Sequence, residues 1–312
     1  MMPGLYRLAA LLVVLVVLTL VAVAGALVPV LRRRGADRAA KLLHACATAA
    51  RVLWALGVLA FLYARLVEAD WLQVTRLRVE TPRLAAGHTV EVAVVSDLHV
   101  ESDTRALIAL RDELRARPVD LVVFTGDAIN RREAVDLFRA TMVSLGGRLG
   151  RAAVRGNHDV YRWGDVELFS GVATPLGTDR PLVVDDGHLA LCGADFGATA
   201  NVEACLAAVP EGALSLFAYH SPDLIEALQH RPDVYVAGHT HGGQVRLPFY
   251  GALVTFSAFD KKYEAGRYEV NGTTLVVSRG VGFEPGLPRV RFLARPELVR
   301  VALVGTGPAE PQ

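Results

Sequence analysis

Five short apolar runs in this sequence each end in residues that can ligate a metal, and no other feature constrains the fold as much. Residues 90–95 run into Ser96-Asp97-Leu98-His99, and residues 121–124 into Thr125-Gly126-Asp127. Residues 152–154 run into Arg155-Gly156-Asn157-His158-Asp159, residues 214–218 into Tyr219-His220, and residues 234–236 into Ala237-Gly238-His239-Thr240-His241. Short runs of this kind, rich in valine and bounded by turn residues, read as buried strands. In open α/β sheets, sites gather at the carboxyl ends of strands. Residues far apart in the chain are therefore expected to converge on one spot.

The segments between the runs support an α/β order. Residues 104–117 carry Leu107, Leu110 and Leu114 at helical spacing and stop before Pro118; residues 133–145 read as a helix ended by Gly146-Gly147. Residues 189–192 read as another strand. Asn271-Gly272 separates 268–270 from 274–277 in a hairpin pattern. Residues 298–304 read as a last strand, and the tail from Gly305 is expected to be disordered. Alternation early and strand-to-strand runs late predict layered sheets with helices outside.

Carboxylate and imidazole together suit borderline divalent ions such as manganese, iron or zinc. No cysteine lies in the set, which excludes a thiolate site. In Asp97-x-His99 and His239-x-His241, alternate residues of an extended segment point the same way, so each pair can present two ligands together. Gly126, Gly156 and Gly238 stand before ligand candidates, where tight turns and close backbone approach favour a residue without a Cβ. A single His or Gly-Asp is an ordinary turn; five such endings in succession are not explained that way.

The N-terminus differs from the rest. Residues 8–31 contain no charge and are long enough to cross a bilayer as a helix; Arg32, Arg33, Arg34, Arg38 and Lys41 follow. A second apolar run, 52–67, contains Arg65 and reads either as a second span or as an interfacial helix. The basic cluster belongs in the cytoplasm by the positive-inside rule. Two spans would put the remainder outside, and one span would leave it inside. This region supplies the largest part of the positive mean hydropathy, +0.34. Charge is balanced, 33 Lys and Arg against 32 Asp and Glu, which argues against a nucleic-acid partner. Cys46, Cys192 and Cys205 form no CxxC pair and suggest neither a disulfide framework nor a zinc knot.

The order DxH…GD…GNHD…H…GHxH resembles the calcineurin-like metallophosphoesterases over about residues 77–304. Gly238-His239-Thr240-His241-Gly242-Gly243-Gln244, Ser278-Arg279-Gly280-Val281-Gly282, Pro288-Arg289 and Pro296-Glu297 resemble a membrane-tethered bacterial subfamily. That subfamily includes enzymes similar to UDP-2,3-diacylglucosamine hydrolases of lipid A biosynthesis. The resemblance implies an α/β fold, a four-layer α-β-β-α sandwich, preceded here by N-terminal hydrophobic helices. The expected organisation is an anchor over 1–72, a phosphoesterase domain over 73–304 and a tail over 305–312.

The resemblance also implies two divalent ions (manganese, iron or zinc) and a set of roles. Asp97, His99 and His241 would bind the first ion, Asn157, His220 and His239 the second, and Asp127 both. His158 would act as general acid or stabilise the transition state, with Asp159 orienting its ring. Asn130 stands where purple acid phosphatases carry an iron-binding tyrosine, so no tyrosinate chromophore is expected.

Arg279, Arg289 and Arg291 are substrate candidates, because Arg recognises phosphate bidentately. Interleaved Leu287, Val290, Phe292 and Leu293 would suit a lipid headgroup or a strand packed on the core. The leading expectation is a membrane-anchored hydrolase of a phosphodiester or pyrophosphate in a lipid-linked substrate such as UDP-2,3-diacylglucosamine. The alternatives are a broad phosphodiesterase or phosphatase facing the cell exterior, and a catalytically inactive membrane scaffold. A bacterial cytoplasmic-membrane location follows, with the side of the domain and the oligomeric state left open.

Overall fold

The computed structural model describes residues 19, 23, 24, 26–34, 36–286 and 288–308. Most of the first apolar run, 8–31, and residues 309–312 of the tail lie outside them; residues 26–31 are helical. The described residues fall into two compact units, one reaching Val67 and taking in Gly286 and Pro288, the other formed by Glu68–Pro285 and the chain from Arg289.

In the first unit, helix α1 (Asp37–Leu66) runs for 30 residues, about 45 Å at 1.5 Å per residue. The second apolar run therefore begins earlier than expected. Arg38 and Lys41 lie in its first turns and not in a loop, because Ala and Leu fill residues 39–50 with no Gly or Pro to stop the helix. Leu42, Leu53, Leu56, Leu59 and Phe61 are exposed. The helix is long and apolar enough to cross a membrane, and only 6% of its most apolar stretch is buried, unlike the core helix of a soluble protein.

The second unit holds two six-stranded sheets. The first is ordered β1 (Gln73–Ala85), β14 (Glu297–Gly307), β2 (Thr89–Val95), β3 (Leu121–Phe124), β4 (Gly150–Ala153), β5 (Thr174–Pro175). The second is ordered β12 (Gly266–Val270), β13 (Thr273–Val277), β9 (Val234–Ala237), β8 (Leu214–Tyr219), β7 (Leu189–Ala194), β6 (Leu182–Val184). A two-residue pair, β10 (Arg246–Leu247) and β11 (Gly251–Ala252), forms a separate hairpin. Strands β2, β3 and β4 are mutually parallel, as are β7, β8 and β9.

Between the sheets, Val92, Val94, Leu121 and Val123 pack with Leu191, Leu214, Leu216, Val234 and Val236. On the outer face of the first sheet, Ala93, Val95 and Phe124 meet Leu107, Leu110 and Leu114 of α2 (Arg105–Ala116) and Phe138 and Met142 of α3 (Val135–Ser144). On the outer face of the second, Phe217, Tyr235 and Leu275 meet Val202 and Cys205 of α5 (Val202–Ala207). Burial on both faces is why the central strands are apolar throughout and not alternating. Side chains such as Leu110 and Phe138, with no exposed surface, each contribute about 1.5–3 kcal/mol.

Three expectations change. Strand β1 was not foreseen: it is an edge strand whose charged Arg76, Arg78 and Glu80 alternate with Leu77 and Val79, and it contains Pro82. Strand β14 continues to Gly307, into the segment expected to be disordered, because its ladder with β1 persists and the Gly305 N–H donates to His88 O at 2.9 Å. Cys192 of β7 and Cys205 of α5 form a disulfide, although no CxxC spacing announces it. The fold brings together two cysteines that lie 13 residues apart by turning the chain from a strand into the helix that packs on it. The Asn271-Gly272 hairpin is as expected, with both residues at positive φ (50° and 86°).

Candidate metal centre

The site lies where the carboxyl ends of β2, β3, β8 and β9 meet, together with the amino end of α4 (Asn157–Tyr161). Beyond the ladders the loops pair with one another. Asp97 N–H donates to Gly126 O at 2.9 Å and His99 N–H to Asp127 O at 3.0 Å; Gly238 N–H donates to His220 O at 2.9 Å. Gly282 N–H reaches Asp97 O at 2.6 Å and ties the loop after β13 to the loop after β2.

The backbone is strained there. Asp97, His99, Asp127, His239 and His241 all lie at positive φ, between 41° and 71°. Non-glycine residues rarely adopt this region, and they cluster at sites where the surrounding structure imposes it. The glycines have steric reasons: a Cβ on Gly238 would collide with Ser96 Oγ and Asp97 Oδ2, and one on Gly156 with the Asp127 carboxylate.

Two overlapping groups of side chains could each hold a metal ion, Asp97 with His99 and His241, and Asp97 with Asp127 and His220. Asp97 is common to both, and Asp127 Oδ2 of the second lies 3.3 Å from His220 Nε2 and 3.5 Å from His99 Nε2 of the first. His241 Nε2 is 3.4 Å from Asp97 Oδ1, and His239 Nδ1 is 3.2 Å from His220 Nε2. His99, His220 and His241 are buried; Asn157, His158 and His239 are half-buried and form the open side. His99 Nδ1 meets Asn130 Oδ1 at 2.8 Å and His220 Nδ1 meets Thr125 O at 2.8 Å, contacts that leave each Nε2 facing the cluster.

The donor set fits divalent cations on two counts. His99 Nε2, His241 Nε2 and Asn157 Oδ1 are buried without a hydrogen-bond partner, a costly arrangement unless a ligand takes them. The electrostatics also call for positive charge. Burial lifts the Asp97 carboxyl above its ordinary value. Burial also opposes ionisation of Asp127, but His220 and His99 hold its carboxyl well below the usual range. Burial pulls His220 down, yet Asp127 and Asp97 drive it up to about 10. Burial and the charge of His220 take His239 down to about 4, and burial and His99 take His241 well below the ordinary value. Two carboxylates this close stay ionised only with a cation between them, a role that a proton on His220 or a metal can fill.

Two expected roles are corrected. Asp159 does not orient His158. Its carboxylate folds back over the start of α4 and accepts the N–H groups of Asp127 (2.7 Å), Ala128 (2.8 Å) and Gly156 (3.0 Å). Burial and the neighbouring Asp127 raise its carboxyl to about 7 against those bonds. The His158 ring instead pairs through Nε2 with Glu284 Oε1 at 3.0 Å. Burial lowers His158, but the Glu284 bond and the Asp127 charge outweigh it and raise the imidazole above its ordinary value. Glu284 was missed because no strand-end motif carries it; the Gly/Pro-rich stretch around it was the only signal.

The three arginines proposed for substrate are engaged within the protein. Arg291 is completely buried and donates to Arg279 O (2.9 Å), Ala294 O (3.0 Å) and Gly282 O (2.6 Å). Burial pushes its guanidinium down to about 9. Arg279 pairs with Glu297 at 2.9 Å and Arg289 pairs with Asp70. Each guanidinium thus has a partner that holds the loop 279–297, and Arg291 also comes within 3.4 Å of His241 Nδ1.

Buried carboxylates and imidazoles gathered at parallel strand ends define a metal-dependent hydrolase. Residues 90–243 match the family described as calcineurin-like phosphoesterase, and they form a calcineurin-like metallophosphoesterase domain that hydrolyses phosphoester bonds. The metallophosphoesterase YkuE of Bacillus subtilis is 28% identical, covering 78% of this chain and 90% of its own. The UDP-2,3-diacylglucosamine pyrophosphatase LpxG of Chlamydia trachomatis is 26% identical, covering 77% of this chain and 92% of its own. Among solved structures, the purple acid phosphatase PPD1 of yellow lupin seeds aligns at a TM-score of 0.41 and 15% identity, over 71% of this chain and 50% of that one.

Proposed function

We propose that this chain is a membrane-anchored, dinuclear-metal hydrolase of a phosphodiester or pyrophosphate bond in a lipid-linked substrate, with its catalytic domain outside the cytoplasm. The observation that carries the dinuclear reading is Asp127 Oδ2 between His99 Nε2 and His220 Nε2. In this reading Asp97, His99 and His241 hold one ion, Asn157, His220 and His239 the other, and Asp127 serves both. When bound, such ions supply Lewis acidity and a water acidified to near neutrality.

The chain's own residues do the rest. Asn130 and Thr125 fix the rings of His99 and His220, so the ligand atoms are set before substrate arrives. Asp159 pins the turns that carry Asp127 and Asn157. His158, half-buried on the open side and paired through Nε2 with Glu284, stabilises charge on the phosphoryl oxygens or supplies a proton to the leaving oxygen.

The Cys192–Cys205 disulfide supports the outward orientation, because disulfides persist in oxidising compartments. If residues 8–31 cross the bilayer as well as α1, the positive-inside rule gives the same side. The likeness to LpxG favours a second reading, hydrolysis of the UDP-2,3-diacylglucosamine pyrophosphate, which requires a cytoplasmic domain.

The test is an assay of the full chain in detergent with manganese, on a chromogenic phosphodiester and on UDP-2,3-diacylglucosamine. It is paired with thiol trapping in intact cells. Metal-dependent diester hydrolysis and an oxidised Cys192–Cys205 pair are expected. Absence of any metal-dependent hydrolysis rejects the enzyme reading. A reduced pair with turnover of the nucleotide lipid selects the second reading.

A further inference from the structure

The β10–β11 hairpin and the loop after it carry an unusual surface. Between residues 247 and 259, Leu247, Phe249, Tyr250, Leu253, Val254 and Phe256 are all at least 44% exposed, and Phe249 at the hairpin tip is fully exposed. Phe249 also stands at φ 63°, so the turn aims an aromatic ring outward at a conformational cost. A soluble surface seldom gathers so many apolar side chains without a partner.

The root of the hairpin is firm. Arg246 N–H donates to Phe292 O at 2.9 Å, and Arg246 pairs with Glu264 at 2.9 Å. Glu264 also accepts the Ala252 N–H at 3.2 Å, and the Thr240 hydroxyl donates to Glu264 O at 2.6 Å. The tip is thus an apolar projection on a hydrogen-bonded root. It is also continuous with the metal centre, since His239 Nε2 lies 3.1 Å from Phe256 O and the two rings are 6.4 Å apart. A cleft of about 490 Å³ is lined by Tyr250, Leu253, Val254, Phe256 and Lys261 among others.

We propose that this hairpin is a membrane-docking element, whose Leu247, Phe249 and Leu253 enter the headgroup and acyl boundary of the bilayer and bring the metal centre to lipid phosphates. Two observations select a bilayer as the occupant. Helix α1 is long and apolar enough to cross a membrane, and only residues 67–72 join it to β1, at most about 20 Å of chain. The domain therefore works within reach of the surface. In addition, Lys261 Nζ sits 3.6 Å from the centre of the Tyr250 ring, a cation and an amphipathic aromatic paired beside the apolar tip as befits headgroup depth.

The proposal rests on the membrane-anchor reading, and its test separates docking from catalysis. The full chain, with Cys46→Ser and Phe249→Cys, is labelled at position 249 with a polarity-sensitive fluorophore. It is then reconstituted into vesicles of phosphatidylcholine and phosphatidylglycerol carrying a lipid-borne nitroxide. Arg115→Cys in α2, exposed and remote in the sequence, is the aqueous control. The expected result is a blue shift and strong nitroxide quenching at 249 but not at 115, whatever the activity.

The second arm substitutes Leu247, Phe249 and Leu253 by Ser. Hydrolysis of a vesicle-embedded phosphodiester should fall about tenfold or more, with hydrolysis of a soluble diester kept within about twofold. A label at 249 as water-exposed as at 115, or an equal fall on both substrates, overturns the proposal. Lipid quenching at 249 without hydrolysis of either substrate would leave docking in place and reject the phosphoesterase reading instead.

Discussion

Glu284 Oε1 lies 3.0 Å from His158 Nε2, joining a Gly/Pro-rich loop of the second sheet to the GNHD turn of the first. The pair assigns to Glu284 the orienting role that sequence order had suggested for Asp159. Glu284→Ala should lower kcat by about 10- to 100-fold while metal content stays unchanged. Loss of bound metal in this variant would make Glu284 a ligand.

His158→Ala should lower kcat by about 10²–10⁴-fold, the usual range for a positioned acid or stabilising group. Elemental analysis should find the metal content of the unsubstituted protein, because the His158 ring contacts Glu284 and is absent from both metal-capable groups. Loss of metal would reassign the residue.

Asp159→Ala should act on stability first. Three backbone N–H groups around the Asp127 turn lose their shared acceptor, a cost of about 3 kcal/mol or more for buried donors. A urea titration should show the fall in midpoint, and Asp159→Asn, which keeps one acceptor oxygen, should recover part of it. An unchanged midpoint in the Ala variant would contradict the pinning role.

Arg289→Ala should leave KM for a phosphodiester unchanged and cost about 1 kcal/mol or less, since its partner Asp70 is a partly exposed surface group. A tenfold rise in KM would restore the substrate role expected from composition.

Cys192→Ser should lower stability by about 3 kcal/mol, the magnitude for a closed loop of this length. The loop it closes carries Phe196, whose ring is 5.8 Å from that of His239, so the same variant should also weaken metal retention. Calorimetry and metal analysis of the variant read both effects.

The strands and the ligand candidates were legible because each central strand is buried on both faces and ends in a polar turn. Both features are local and survive in a linear string. Strand β1 was not legible, since an edge strand with alternating Arg and Leu resembles a solvated loop. Glu284, the disulfide and the arginine partners depend on contacts between segments far apart or folded back on each other. Type alone favoured Arg291 as a phosphate ligand. Only its burial among the carbonyls of Arg279, Gly282 and Ala294 shows a guanidinium used to hold a loop. Positive φ at Asp97, His99, Asp127, His239 and His241 had no sequence signal at all, because strain is imposed by the loops packed around the site.

The central claim is a centre of two cations joined through Asp127. The most direct measurement is the metal content of the manganese-loaded, gel-filtered chain beside its Asp127→Asn variant. About two ions per chain are expected for the unsubstituted protein, and markedly fewer with no hydrolysis for the folded variant. About one ion per chain in both, or full turnover in Asp127→Asn, would contradict it.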